Sequence, residues 1–335
     1  MKLLRKILLP IVPIYNGVTW LRNYYYDKDI LKSKRYNFPV ICVGNLSVGG
    51  TGKTPMIEYL IRLLKDDYLV GTLSRGYGRQ TKGFVLANQD STAQTIGDEP
   101  FQFHQKFQNI IVSVGEDRQD AIQNLLRLDH SPEILFLDDA YQHRKVTAGL
   151  NILLTSYGDL YMNDMALPTG NLREPKSGAK RADIIIVTKC PENISDSEKE
   201  RVKSELNIEA HQELFFSSIT YSKSILSKEN EIGLSELKNK KFTLVTGIAN
   251  PKPLVEYLHK NEFDFYHEIF KDHHEFTPIE ISKLEKKNLI VTTEKDYVRL
   301  KDRLLNNNVY YLPIESKILE AEAFDSAIKT FVNQF

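Results

Sequence analysis

Short unbroken apolar runs alternate, through the first part of the chain, with stretches whose apolar residues recur every three or four positions. The runs at 39–43, 69–73, 109–114, 134–138, 151–154 and 183–188 read as strands. Their lack of polar alternation suits strands covered on both faces of a parallel sheet. Helical periodicity at 55–65, 99–107 and 118–128 fills the intervals. After a polar, charged stretch at 191–212 a second series begins, with strands at 242–245, 265–269, 289–293 and 309–312. Helices at 253–260, 278–286 and 297–304 separate them, and one more closes the chain. This alternation predicts an α/β fold with two parallel-sheet units. The expected division is an N-terminal segment 1–35, a larger domain 36–220 and a smaller C-terminal α/β domain 221–335.

Composition narrows the function classes. Lys+Arg and Asp+Glu number 44 each, so no global basic field argues for nucleic acid. Cys42 and Cys190 form no CxxC pair, which excludes a disulfide framework and a cysteine-built zinc site. No apolar run reaches the roughly 18 residues of a membrane-spanning helix. The overall balance hides an uneven start: residues 1–38 carry eight bases against two acids, interleaved with leucine, isoleucine and aromatic residues. Pro10 and Pro13 interrupt the first apolar run and no small-residue cleavage site follows, unlike a secretory signal. Two readings stand side by side. One is a helix packed on the protein's own core; the other is an interfacial segment with its apolar face in lipid and its bases on anionic headgroups.

The strongest chemical signal is Ser47-Val48-Gly49-Gly50-Thr51-Gly52-Lys53-Thr54, which follows a strand and opens a helix. Glycines there let backbone N–H groups converge on phosphate oxygens, the helix N-terminus adds positive charge, and Lys53 reaches the β- and γ-phosphates. Thr54 offers a hydroxyl to Mg²⁺. The usual pattern begins with Gly where this chain has Ser47. A P-loop NTPase-type domain is expected. The apolar run 134–137 ends in Asp138-Asp139, a pair of carboxylates placed to serve the metal, with their division of labour left open.

Further polar clusters lie just past strand ends, where open α/β sheets bind ligands. They include Arg75 in Ser74-Arg75-Gly76-Tyr77-Gly78, Asp98-Glu99 before Pro100, Arg118 after Glu116-Asp117, and Leu172-Arg173-Glu174-Pro175. In the second half, Asp272-His273-His274 follows a strand, and Thr293-Glu294-Lys295-Asp296 reads as a capped helix start. An NTPase acting as a regulatory switch or chaperone is the competing reading. Such proteins favour an Asn/Thr-Lys-x-Asp element for the base, and Thr188-Lys189-Cys190-Pro191 lacks the Asp.

Val43-Gly44-Asn45-Leu46 leading into the phosphate loop, with Pro55 behind it, resembles the signature of the lipid A 4′-kinases, the tetraacyldisaccharide 4′-kinases. The blocks named above, with Asp138-Asp139-Ala140-Tyr141-Gln142-His143, appear in that family's order over roughly 36–300. Ala140-Tyr141 stands where Gly-Leu is common and Asn171 where Pro is common, and neither departure removes a charged group. The resemblance implies Mg²⁺-dependent transfer of the ATP γ-phosphate to the 4′-hydroxyl of an acylated glucosamine disaccharide 1-phosphate at the cytoplasmic face of the inner membrane. It implies Asp98 as the base, with His273 paired to it from the other domain. Glu99, Asp138 and Asp139 would shape the metal site, and Arg75, Arg118 and Arg173 would partner phosphates. An enzyme that meets a lipid without a spanning helix also gives the N-terminal segment a use, as a peripheral membrane contact. No nucleic acid and no obligate protein partner is implied.

Overall fold

The computed structural model describes residues 7–272, 274–304 and 308–335. Helix α1 (Val12–Asp27) precedes the first strand. Strands β1 (Val40–Asn45), β2 (Val70–Ser74), β3 (Val85–Leu86) and β4 (Ile111–Val114) are followed by β5 (Ile134–Asp138), β6 (Leu150–Ser156), β7 (Ile184–Thr188) and β8 (Glu213–Tyr221). They belong to one sheet in the order β8-β7-β6-β1-β5-β2-β4-β3, parallel except for the short β3. Helices α2 (Lys53–Leu64), α3 (Asp98–Lys106), α4 (Arg118–Leu125) and α5 (Asp196–Leu206) fall between these strands. The unbroken apolar runs are buried along their whole length in β1, β2, β5 and β7, as strands covered on both faces require.

A second sheet follows, built from β9 (Ser224–Leu226), β10 (Glu231–Gly233), β11 (Phe242–Thr246), β12 (Phe265–Ile269), β13 (Ile290–Thr292) and β14 (Val309–Tyr311). Its order is β10-β9-β14-β13-β11-β12, with a parallel centre and an antiparallel edge. Helices α6 (Lys252–Lys260), α7 (Pro278–Leu284) and α8 (Glu294–Leu300) accompany it.

The expected extent of the C-terminal domain, 221–335, is corrected at its end. Strand β15 (Ile314–Ile318) pairs antiparallel with β8, becoming the edge of the larger sheet, and α9 (Ala321–Val332) packs Phe324, Ile328 and Phe331 into that sheet's core with Ile57 and Phe215. The smaller lobe is therefore an insertion between β8 and β15. The two lobes meet along α3 and α8, where Lys106 Nζ lies 2.7 Å from Glu58 and 3.1 Å from Glu294.

Helix α1 has two unlike flanks. Tyr15 and Val12 pack on the larger core and Tyr26 is buried. Its other flank is bare: Ile14 is 67% exposed, Val18 64% and Trp20 55%. These bare apolar side chains are the surface that the interfacial reading needs.

Candidate active site

Strand β1 sits between β5 and β6, so the chain order reverses around it and a crevice opens beyond its C-terminal end. The loop Ser47–Thr54 occupies that crevice and runs into α2. Gly49 and Gly52 have φ of +130° and +88°, left-handed values that L side chains rarely adopt. Asn45 Nδ2 donates to Thr51 Oγ1 at 2.7 Å and Thr188 Oγ1 donates to the Thr51 carbonyl at 2.8 Å. Lys189 Nζ donates to the Gly50 carbonyl. The near-match to a base-reading element at 188–191 is thus a brace under the phosphate loop, a contact that sequence spacing did not reveal. On the other side Ser47 bridges to Leu172, and Val48 N–H donates to the Asn171 carbonyl at 2.7 Å.

Register places Asp138 opposite Val43, level with the start of the loop. A Cβ on Gly44 would lie 2.6 Å from Tyr141 Cβ, so glycine there lets the Asp138–Tyr141 segment close against β1. Asp138 is buried and accepts from Ser74 Oγ at 3.0 Å. Burial, then the neighbouring Asp139 charge, pushes its carboxyl up to about 6. Burial also acts against ionised Asp139, but Lys53 and Arg173 outweigh it and hold that carboxyl below its usual value. Lys53 Nζ stands 3.5 Å from Asp139 Oδ1, and Arg173 Nη1 donates to both Asp139 oxygens at 2.9 Å. Four expected site residues therefore converge at the mouth of the loop.

Asp98 and Glu99 open α3, one strand further across the sheet, behind Gly97 with φ +94°. Both point to α8 of the smaller lobe. Asp98 is ion-paired with Arg299, and Glu99 with Lys295 at 2.5 Å. Burial disfavours the Glu99 charge, yet the Lys295 ammonium holds its carboxyl below the usual range. Lys295 lies in the block read as a helix start. That reading stands, since the Thr293 hydroxyl accepts from Asp296 N–H at 3.2 Å, but the cross-lobe partner was missed. Arg299 carried no sequence signal beyond standing four residues after Lys295. His273 lies outside the described residues. Arg118 is buried, with Nη1 on the Gly115 carbonyl, while Arg75 stands exposed just past β2.

The donor set suits Mg²⁺ with a nucleotide. The Thr54 hydroxyl and the Glu99, Asp138 and Asp139 carboxylates are hard oxygen donors. Among the described residues no three His, Cys, Asp or Glu side chains could hold a metal ion by themselves. Mg²⁺ bound through one or two carboxylates plus substrate phosphates needs no such cage. A buried carboxylate raised by desolvation is also a site that a cation would relieve.

A stability test follows from Asp138. Its folded value of about 6 exceeds the ordinary 3.8, so the folded protein holds the proton longer than the unfolded chain. The resulting penalty is small below pH 4, grows between 4 and 6 and is complete above, with a ceiling of roughly 3 kcal/mol. In chelator, Asp138→Asn should raise Tm at pH 8 and change it little at pH 4. Equal shifts at both pH values would count against a desolvated Asp138.

Comparison with known proteins shows the family. Residues 4–333 match the family model described as tetraacyldisaccharide-1-P 4′-kinase. A curated relative of that name from Flavobacterium johnsoniae is 50% identical over 338 residues, covering 100% of this chain and 99% of the relative. The Flavobacterium psychrophilum relative is 48% identical over 99% of this chain and 98% of its own. Among solved structures, LpxK from Aquifex aeolicus in complex with ATP superposes with a TM-score of 0.80 at 32% identity, covering 98% of this chain and 99% of that one. The chain belongs to the tetraacyldisaccharide-1-P 4′-kinase family.

Proposed function

We infer that this protein transfers the γ-phosphate of ATP to the 4′-hydroxyl of a tetraacyl glucosamine disaccharide 1-phosphate, a step in lipid A synthesis. The observation that carries the reading is the convergence of Lys53, Asp139, Arg173 and buried Asp138 on the mouth of a glycine-rich loop at a helix N-terminus. Backbone N–H groups of Gly49, Gly50 and Gly52 and the α2 terminus cradle the phosphates, and Lys53 leaves Asp139 to meet the β- and γ-oxygens. Thr54 and Asp138, with Glu99 and Asp139, would hold Mg²⁺, which when bound would supply positive charge to offset that of the phosphates. As the acceptor oxygen bonds to phosphorus and ADP departs, Asp98 takes the hydroxyl proton, with Arg299 holding that carboxylate in place. His273 is the expected partner of Asp98 in that proton transfer, and Arg173, Arg118 and Arg75 balance phosphate charge. Mixing the protein with γ-labelled ATP and detergent-dispersed disaccharide lipid tests the reading. Label should move to lipid; release as free phosphate alone would replace the kinase with an NTPase.

The acceptor's lipid nature gives α1 its place. Among the described residues no helix is long and apolar enough to cross a membrane. The bare flank of α1, with the basic residues around it, seats the protein peripherally on the cytoplasmic face of the inner membrane. No protein partner is required. Ile14→Ser with Val18→Ser removes two exposed anchors and should weaken sedimentation with anionic vesicles about tenfold or more. Unchanged sedimentation would remove α1 from the membrane contact.

A further inference from the structure

Helix α1 touches more than the core: it reaches the segment that carries Arg173. The Tyr15 hydroxyl donates to the Arg173 carbonyl at 2.7 Å, and Asn23 Nδ2 donates to Glu174 Oε2 at 2.8 Å. Glu174 is buried. From its far side Arg181 Nη2 donates to both Glu174 oxygens at 2.9 Å, and Gln142 Nε2 donates to Oε1 at 3.0 Å. The Arg173 N–H donates to the Leu46 carbonyl at 2.7 Å, at the entry to the phosphate loop. Arg173 is thus fixed through its N–H by the loop and through its carbonyl by α1, which leaves the guanidinium aimed at Asp139.

The helix is itself anchored on this side. Arg22 Nη2 donates to the Gln142 carbonyl and Arg144 Nη1 to the Asn23 carbonyl, both at 2.8 Å, while Arg144 pairs with Asp27 at 2.7 Å. The docking residues Tyr15, Arg22, Asn23 and Tyr26 form one stripe along the helix. Exposed Ile14, Val18 and Leu21 form another about a third of a turn away. One rigid helix therefore holds an apolar surface and the catalytic loop side by side.

We propose that α1 is a positioning element of the transfer site, in which Tyr15 and Asn23 set the place of Arg173 and so tie the seating of the helix on lipid to phosphoryl transfer. This rests on the function inferred above. An anchor of purely adhesive kind would meet lipid through the apolar stripe and need no hydrogen bond to the Arg173 carbonyl. With the clamp in place, lipid that shifts α1 shifts the guanidinium facing Asp139, and small displacements of a charge partner cost rate steeply.

The full-length Tyr15→Phe and Asn23→Ala variants test this by three readouts. Amide hydrogen exchange over residues 171–178 should quicken about fivefold, as expected for one lost hydrogen bond. The kcat with detergent-dispersed acceptor should fall about tenfold with KM for ATP within about twofold, and vesicle sedimentation should stay at the wild-type level. Adding Tyr15→Phe to Arg173→Ala should lower kcat no further, because the clamp acts through Arg173. Wild-type exchange and kcat in both variants, or losses that multiply with Arg173→Ala, would overturn the proposal. Should the wild-type protein move no phosphate to lipid, the kinase reading fails, while the exchange result still decides whether α1 holds the Arg173 segment.

Discussion

Lys53→Ala is expected to abolish transfer while leaving the fold intact. Lys53 is the first residue of α2 and its ammonium makes one long ion pair, 3.5 Å from Asp139, so the helix loses little when it goes. The transition state loses much more. Phosphoryl transfer is governed by positioning and charge stabilisation, and removal of one preorganised electrostatic partner costs roughly 10²–10³ in rate. Asp139 would also lose the cation that helps Arg173 keep it ionised. The measurement is kcat alongside a thermal melt. A folded variant that turns over at the wild-type rate would end the kinase reading.

Asp98→Asn is expected to lower kcat by roughly 10²–10⁴ with little change in KM for ATP, the range that general-base catalysis supplies. The amide preserves an oxygen for Arg299 but takes up no proton, so the cross-lobe contact survives while the chemistry stops. Asp138 and Asp139 are weaker candidates for the base. A carboxylate committed to Mg²⁺ is a poor proton acceptor. His273→Ala should lower kcat as well, and the double variant should fall well short of the product of the two losses if the residues act as a pair. A large rise in KM for ATP in Asp98→Asn would instead move Asp98 to the metal shell.

Six strands of the larger sheet were legible because burial on both faces demands unbroken apolar runs, the run 134–138 being β5 residue for residue, whereas β3 and β8 were not expected. The second sheet's β12 was equally plain. Helix α5 was hidden because, of its eleven residues, only Val202 and Leu206 are buried, too few for a stripe. Strand β15 was missed because its five residues alternate only briefly and their partner β8 lies far back in the sequence. The phosphate loop and Asp138 were placed correctly at a helix start and a strand end because both are local features of the sequence. Arg299 and Lys295 meet the acids of α3 only through folding, with 201 and 196 positions between partners, and no local pattern records that. The same holds for Tyr15 beneath Arg173, 158 positions apart.

The return of the chain to β8 has a consequence for synthesis. Tyr221 and Ile314 are cross-strand neighbours, so the smaller lobe leaves and rejoins the larger one at almost a single point. During translation β8 emerges long before its antiparallel partner, and its outer edge stays an open row of backbone donors and acceptors until residues 314–318 follow. Such an edge is a template for wrong pairing with other chains. The smaller lobe, all of whose strands are made before β15, can fold while the nucleotide-binding sheet is still unfinished. A nascent chain stalled near residue 313 should therefore carry a protease-resistant insert and a larger lobe that is still readily digested. Release of the last helix, with Phe324 and Ile328 closing the core, is what turns the emerging polypeptide into an enzyme able to hold ATP.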